Sequence, residues 1–101
     1  MSNAARGEAA LTINEKACLL RPSFDALVQA EEELGPLFDL VERAGAGKLR
    51  LTDMAALFWH CLAERGDLTR EALGEAVVAQ GLAASTKPLR ILLGEILKGR
   101  V

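Results

Sequence analysis

The chain has 101 residues, 50% hydrophobic and 26% charged, with three prolines and a formal net charge of −2. A chain of that length buries about 60 to 65% of the surface its unfolded form exposes, so one core and one domain are expected over residues 1–101. The composition excludes a disordered tail, and the slight acidic excess argues against a generic nucleic-acid binder, because phosphate contacts need a basic surface.

The first ordered segment reads as a β-hairpin within residues 6–21. Its strands are Glu8–Ile13 and Lys16–Leu20, joined by Asn14-Glu15. Leu11 and Ile13 alternate with polar residues, and across the turn Cys18 and Leu20 share their face. Asn14 tolerates the positive φ of a two-residue turn, whereas Glu15 stands where glycine is preferred. Pro22 then disfavours helix at Arg21, and Ser23 offers a side-chain acceptor to first-turn amides, so strand changes to helix within two residues. Phe24, Leu27, Val28 and Leu34 form an apolar stripe on a helix from Ser23 to Leu34, expected to lie beneath the hairpin, with Gly35 as its C-cap.

Helices continue through a body spanning residues 23–98. Leu37, Phe38, Leu40 and Val41 mark a short second helix ending near Ala44, before a flexible connector at Ala44-Gly-Ala-Gly-Lys48. A third starts at Thr52 or just before it and carries Met54, Leu57, Phe58, Cys61 and Leu62 at three- and four-residue intervals until Gly66. Thr69 caps a fourth, lined by Leu73, Ala76, Val77 and Gln80 and ended by Gly81. Lys87-Pro88 starts the last, whose stripe is Leu89, Leu92, Leu93, Ile96 and Leu97. The fold class that follows is mainly α, with an N-terminal antiparallel β-hairpin packed on a bundle of four to five short helices.

Residues in a reactive arrangement are few. His60 and Cys61 are adjacent on a helix, so their side chains diverge by about 100° and do not form a thiolate and its base. A metal needs further soft or imidazole ligands, and Cys18 is the one candidate left. The expectation is a core cysteine beside a partly exposed histidine, with no catalytic residue, no cofactor and no metal. Glu31, Glu32 and Glu33 span most of a helix circumference and read as a solvated helix end, although Glu31 lies on the side of Leu27 and Leu34 and is placed to bind an arginine or cap a neighbouring backbone. A helical pair around Gly81 bearing Lys87 and Arg90 gives a DNA-reading unit little support, since the second helix is mainly Leu and Ile. Trp59 widens the apolar surface of its helix beyond one face. Either that helix is central, or Trp59 supplies part of a patch for a partner. No apolar run reaches the length of a membrane span and no secretory signal is evident, so a cytoplasmic location is expected, with Cys18 and Cys61 reduced.

Charge is unevenly spread. Residues 23–42 hold Asp25, Glu31, Glu32, Glu33, Asp39 and Glu42 without a basic residue, whereas residues 86–101 hold Lys87, Arg90, Lys98 and Arg100 against Glu95. Two solvated helix faces explain this, and so does docking to a partner or to another copy.

Taken in order, Arg6-Gly-Glu8, Leu11-Thr-Ile13, Leu20-Arg-Pro-Ser-Phe24-Asp-Ala-Leu27, Glu33-Leu-Gly35 and Leu49-Arg-Leu-Thr-Asp53-Met-Ala-Ala56 resemble the gene transfer agent family of small phage-tail proteins, classed with tail assembly chaperones. The resemblance covers about residues 6 to 98 and departs at Asn14-Glu15, where the family often has Asp-Gly. It implies a non-enzymatic assembly factor from a prophage-like cluster that binds the tape-measure protein's apolar helices in the cytoplasm, with a structural tail component as the alternative and a small DNA-binding regulator behind both. The partners implied are a tape-measure or tail-tube protein and further copies of the chain. The residues expected at the contact are Trp59, Lys87, Arg90 and Glu31.

Overall fold

The computed structural model describes residues 9–98. The expected strand start at Glu8, the hairpin boundary at residue 6, the Arg6-Gly-Glu8 segment and Arg100 lie outside them. Strands β1 (Ala9–Ile13) and β2 (Lys16–Leu20) pair antiparallel, with Ile13 opposite Lys16, Leu11 opposite Cys18 and Ala9 opposite Leu20. Ala9, Leu11 and Ile13 are buried while Ala10 and Thr12 are exposed, as a half-buried strand requires. Asn14 and Glu15 have φ of 52° and 65°, so the turn is the two-residue, left-handed kind that matches strand twist, and Glu15 adopts without a glycine the conformation that glycine favours.

The corner forms as its residues dictate. The Ser23 hydroxyl accepts from the Ala26 amide at 3.2 Å, starting α1 (Phe24–Leu34), and Gly35 at φ 88° ends it by donating to the Glu31 carbonyl. The face α1 buries is not the expected one. Ala26 and Ala30 are buried, Leu27 and Leu34 are partly buried, and Phe24 and Val28 point to solvent. Two alanines let the backbone of α1 approach its main neighbour closely, and the bulky Phe24 and Val28 are thereby turned outward.

That neighbour is α3 (Leu51–Cys61), which follows α2 (Leu37–Gly45). Ala44 to Lys48 is not a loose connector. Its amides bond back to the Glu42, Arg43 and Ala44 carbonyls, closing α2 with Gly47 at φ 71°. Asp53, Met54, Ala56, Leu57, Phe58 and Cys61 are all buried on α3, which is the central helix of the structure. At its end the chain turns extended and Leu62 bridges antiparallel to Leu20, with Arg21 N–H donating to Cys61 O and Ala63 N–H to Leu19 O. The hairpin is thus fastened to the end of α3.

Thr69 caps α4 (Arg70–Gln80) through its hydroxyl, which accepts from Ala72 N–H at 3.1 Å. After Gly81 a 3-10 turn (Leu82–Ser85), absent from the sequence reading, runs directly into α5 (Thr86–Lys98), so that helix starts one residue before Lys87. Strand β1 packs on α4 and α5, and the Gln80 side-chain amide donates to the Thr12 carbonyl. The hairpin therefore lies on α4 and α5 and not on α1. In α5, Leu92 is fully buried, Leu89, Leu93 and Ile96 are partly buried, and Leu97 is 52% exposed.

Leu57→Ala leaves a hole against α3's neighbours and is expected to cost about 2–5 kcal/mol in urea unfolding. Glu15→Gly relieves the left-handed turn residue and is expected to stabilise by roughly 0.5–1 kcal/mol in the same measurement.

Candidate functional site

Each end of α3 carries an ion-paired junction. At its start, Asp53 accepts from the Arg50 amide at 3.0 Å and from Arg43 Nη1 of α2 at 2.8 Å. Burial pushes the Asp53 carboxyl up, but these donors outweigh it and hold the group below the ordinary aspartate range. The aspartate of the segment Leu49–Ala56 is therefore a helix-start and inter-helix clamp.

At the other end, Glu33 of α1 accepts two bonds from Arg70 of α4, at 2.7 and 2.8 Å, and lies 2.8 Å from His60 Nε2 of α3. The Arg70 guanidinium, then His60, hold the Glu33 carboxyl down at about 2. With His60 Nε2 turned to Glu33, its Nδ1 is buried without a partner. Trp59 sits beside this cluster, half-buried, with the Arg65 guanidinium 4.6 Å and that of Arg70 5.8 Å from its ring centroid. Arg65 also donates to the Trp59 carbonyl, a cation at a helix C-terminus. Cys61, one residue on, is buried, and the loss of solvent pushes its thiol up to about 12, so it is not a ready nucleophile.

The four residues expected at a contact are set in three places. Trp59 lies under arginines at the α3–α4 junction. Glu31 is exposed on α1 and accepts from the Leu37 amide at 3.1 Å, capping the first turn of α2, one of the two roles open to it in the sequence. Lys87 and Arg90 are exposed on α5 and make no ion pair among the described residues.

What sequence reading did not supply is the apolar surface on α1 and α2. Phe24 is 83% and Phe38 77% exposed, and Val28 is exposed as well. Of the chain's three phenylalanines, only Phe58 is in the core. Asp25, Glu32, Asp39 and Glu42 surround these side chains in sequence and make no ion pair among the described residues. A shallow depression lined by Val28, Glu31, Glu32, Gly35 and Pro36 marks the α1–α2 junction on this side. The one sequence signal for it was that Ala26 and Ala30 compete with Phe24 and Val28 for the buried face.

Among the described residues, no group of three or more His, Cys, Asp or Glu could hold a metal ion, and no helix is long and apolar enough to cross a membrane. The fold and surface define a small, mainly α protein whose distinguishing feature is exposed aromatic and unbalanced charged surface, the marks of a protein-contact module. It is a phage-tail protein: residues 6–99 match the family described as "Phage tail tube protein, GTA-gp10", and the chain belongs to that family. No curated protein and no solved structure matches it.

Because its folded value is depressed, Glu33 stabilises the fold at pH above its ordinary value of 4.5, and that contribution is lost as pH falls toward about 2. Arg70→Met is expected to move the Glu33 carboxyl titration, followed by NMR, up from about 2 toward 4.5. An unmoved titration would show that Arg70 is not its principal partner.

Proposed function

We propose that this phage-tail protein is a non-enzymatic tail assembly chaperone that holds apolar helices of the tape-measure protein in solution, in the cytoplasm, while the tail is built. The observation that carries this reading is the exposure of Phe24 and Phe38 on acidic helices. Aromatic side chains of that size are left in water when a partner takes them up, and aromatics dominate the energetics of protein contacts. The acidic surround keeps the unoccupied face soluble and disfavours other anionic surfaces. Trp59, presented with the arginines that cover it, together with Glu31, Lys87 and Arg90, would extend the contact.

The family description favours a second reading, a structural part of the finished tail. The two separate in particles: stoichiometric presence by mass spectrometry supports the structural role, and absence supports the chaperone. Coexpression with the cognate tape-measure protein is expected to raise that protein's soluble yield several-fold, and Phe24→Ser/Phe38→Ser to abolish the gain. Equal solubility with and without this chain would reject the chaperone role.

A further inference from the structure

Two largely exposed helix stripes in this molecule complement one another. On α1, positions 24, 28 and 31 lie on one side at α-helical spacing, giving Phe24, Val28 and Glu31, with Glu32 at the margin. On α5 the outer side carries exposed Lys87, Arg90, Leu97 and Lys98 with half-buried Gly94 between them, opposite buried Pro88 and Leu92. In each stripe a large apolar residue and a charge stand seven residues apart, Phe24 to Glu31 and Arg90 to Leu97, which is about 10 Å along either axis. The signs are opposite, and neither Arg90 nor Lys87 makes an ion pair among the described residues. Between them, Val28 on α1 matches Gly94 on α5, where an added Cβ would meet nothing within 4 Å in the same chain.

We propose that α1 of one copy docks antiparallel on α5 of a second copy, Phe24 against Leu97, Val28 over Gly94, and Glu31 with Glu32 against Arg90 and Lys87. The absence of a side chain at Gly94 lets the helices approach closely. The charge pairs fix the antiparallel direction, because a parallel arrangement in the same register sets Phe24 against Arg90 and Glu31 against Leu97. Antiparallel helices also align their dipoles favourably. Such a contact joins two different surfaces, so it closes into a ring or propagates, and each copy keeps one free α1 and one free α5 until closure. A single helix pair buries on the order of 1,000 Å² or less, which makes the contact weak and concentration-dependent. The inference uses the surface invoked for the tape-measure protein but not that partner, and it is tested with the chain alone.

Sedimentation velocity at low salt, up to ~1 mM protein, is the direct measurement, since contacts of this size fall in the micromolar to millimolar range. The wild-type chain is expected to associate with rising concentration and to lose association as salt rises. Glu31→Lys/Glu32→Lys and Lys87→Glu/Arg90→Glu are each expected to weaken self-association by ~tenfold or more, and their equimolar mixture to restore it. Glu31 also caps α2, so Gly94→Gln serves as an independent variant: an added Cβ there meets nothing within 4 Å, and the substitution should not lower the melting temperature while it abolishes association. A wild-type chain that stays monomeric at ~1 mM overturns the proposal, even if a cationic amphipathic peptide binds α1. So does a Gly94→Gln variant that associates as well as the wild type, or a charge-swap mixture that stays apart.

Discussion

The structure depends on the burial of α3 around most of its circumference. A helix that presents Met54, Ala56, Leu57, Phe58 and Cys61 to protein on several sides needs cover from more than one neighbour, and that need sets the position of the rest. The cover on one side is α1, brought close by Ala26 and Ala30. On another it is α4, and at the C-terminal end it is the hairpin, held by the Leu20–Leu62 bridge. The polar groups at the two ends of α3 are served in turn by Asp53 with Arg43 and by Glu33 with Arg70 and His60. A carboxylate near each end thereby joins separate elements, α2 to α3 in one case and α1 to α3 and α4 in the other.

Much of this was legible in local chemistry. The Ser23 and Thr69 caps, Gly35 and Gly81 as helix ends, the Pro22 corner and the alternation of Leu11 and Ile13 are decided by residues within a few positions of one another. The face of α1 was not legible, because hydropathy ranks Phe24 and Val28 above Ala26 and Ala30. The structure decides by how closely two backbones can approach, a property of the partner helix. The Glu33, His60 and Arg70 junction was hidden for a related reason. Its members stand 27 and 10 residues apart, and no spacing rule links them. Glu33 was inseparable from Glu31 and Glu32 as a solvated run, yet one of the three ties helices together, one caps α2, and Glu32 alone is left without a side-chain partner among the described residues.

Membership in a phage-tail family and the surface of this chain bear on one another through the cost of exposure. Leaving two phenylalanines in water forgoes about 1.5–3 kcal/mol of burial for each, in a chain that has four aromatic residues in all. A fold of this size, with marginal net stability, retains such side chains at the surface without loss only where the core is complete without them. Here Phe58 and the leucines around α3 complete it. Phe24, Val28 and Phe38 are thus not needed to complete the core, and their identity is open to selection for contact.

Charge supports the same division. The acidic side of α1 and α2 and the basic side of α5 lie on elements whose inner faces are already committed to the core, and of these charges Glu31 alone, through its cap on α2, is given a folding role here. Asp53 and Glu33, which do hold it together, are the carboxyls with depressed titration. Asp25, Glu32, Asp39 and Glu42 have no ion pair within the described residues and repel one another weakly across solvent. A sequence under selection for stability alone would intersperse lysines among them to gain helix pairs. Their segregation from the cations of α5 gives the proposed encounter with another surface its electrostatic basis, since long-range attraction between unlike charges orients an approach.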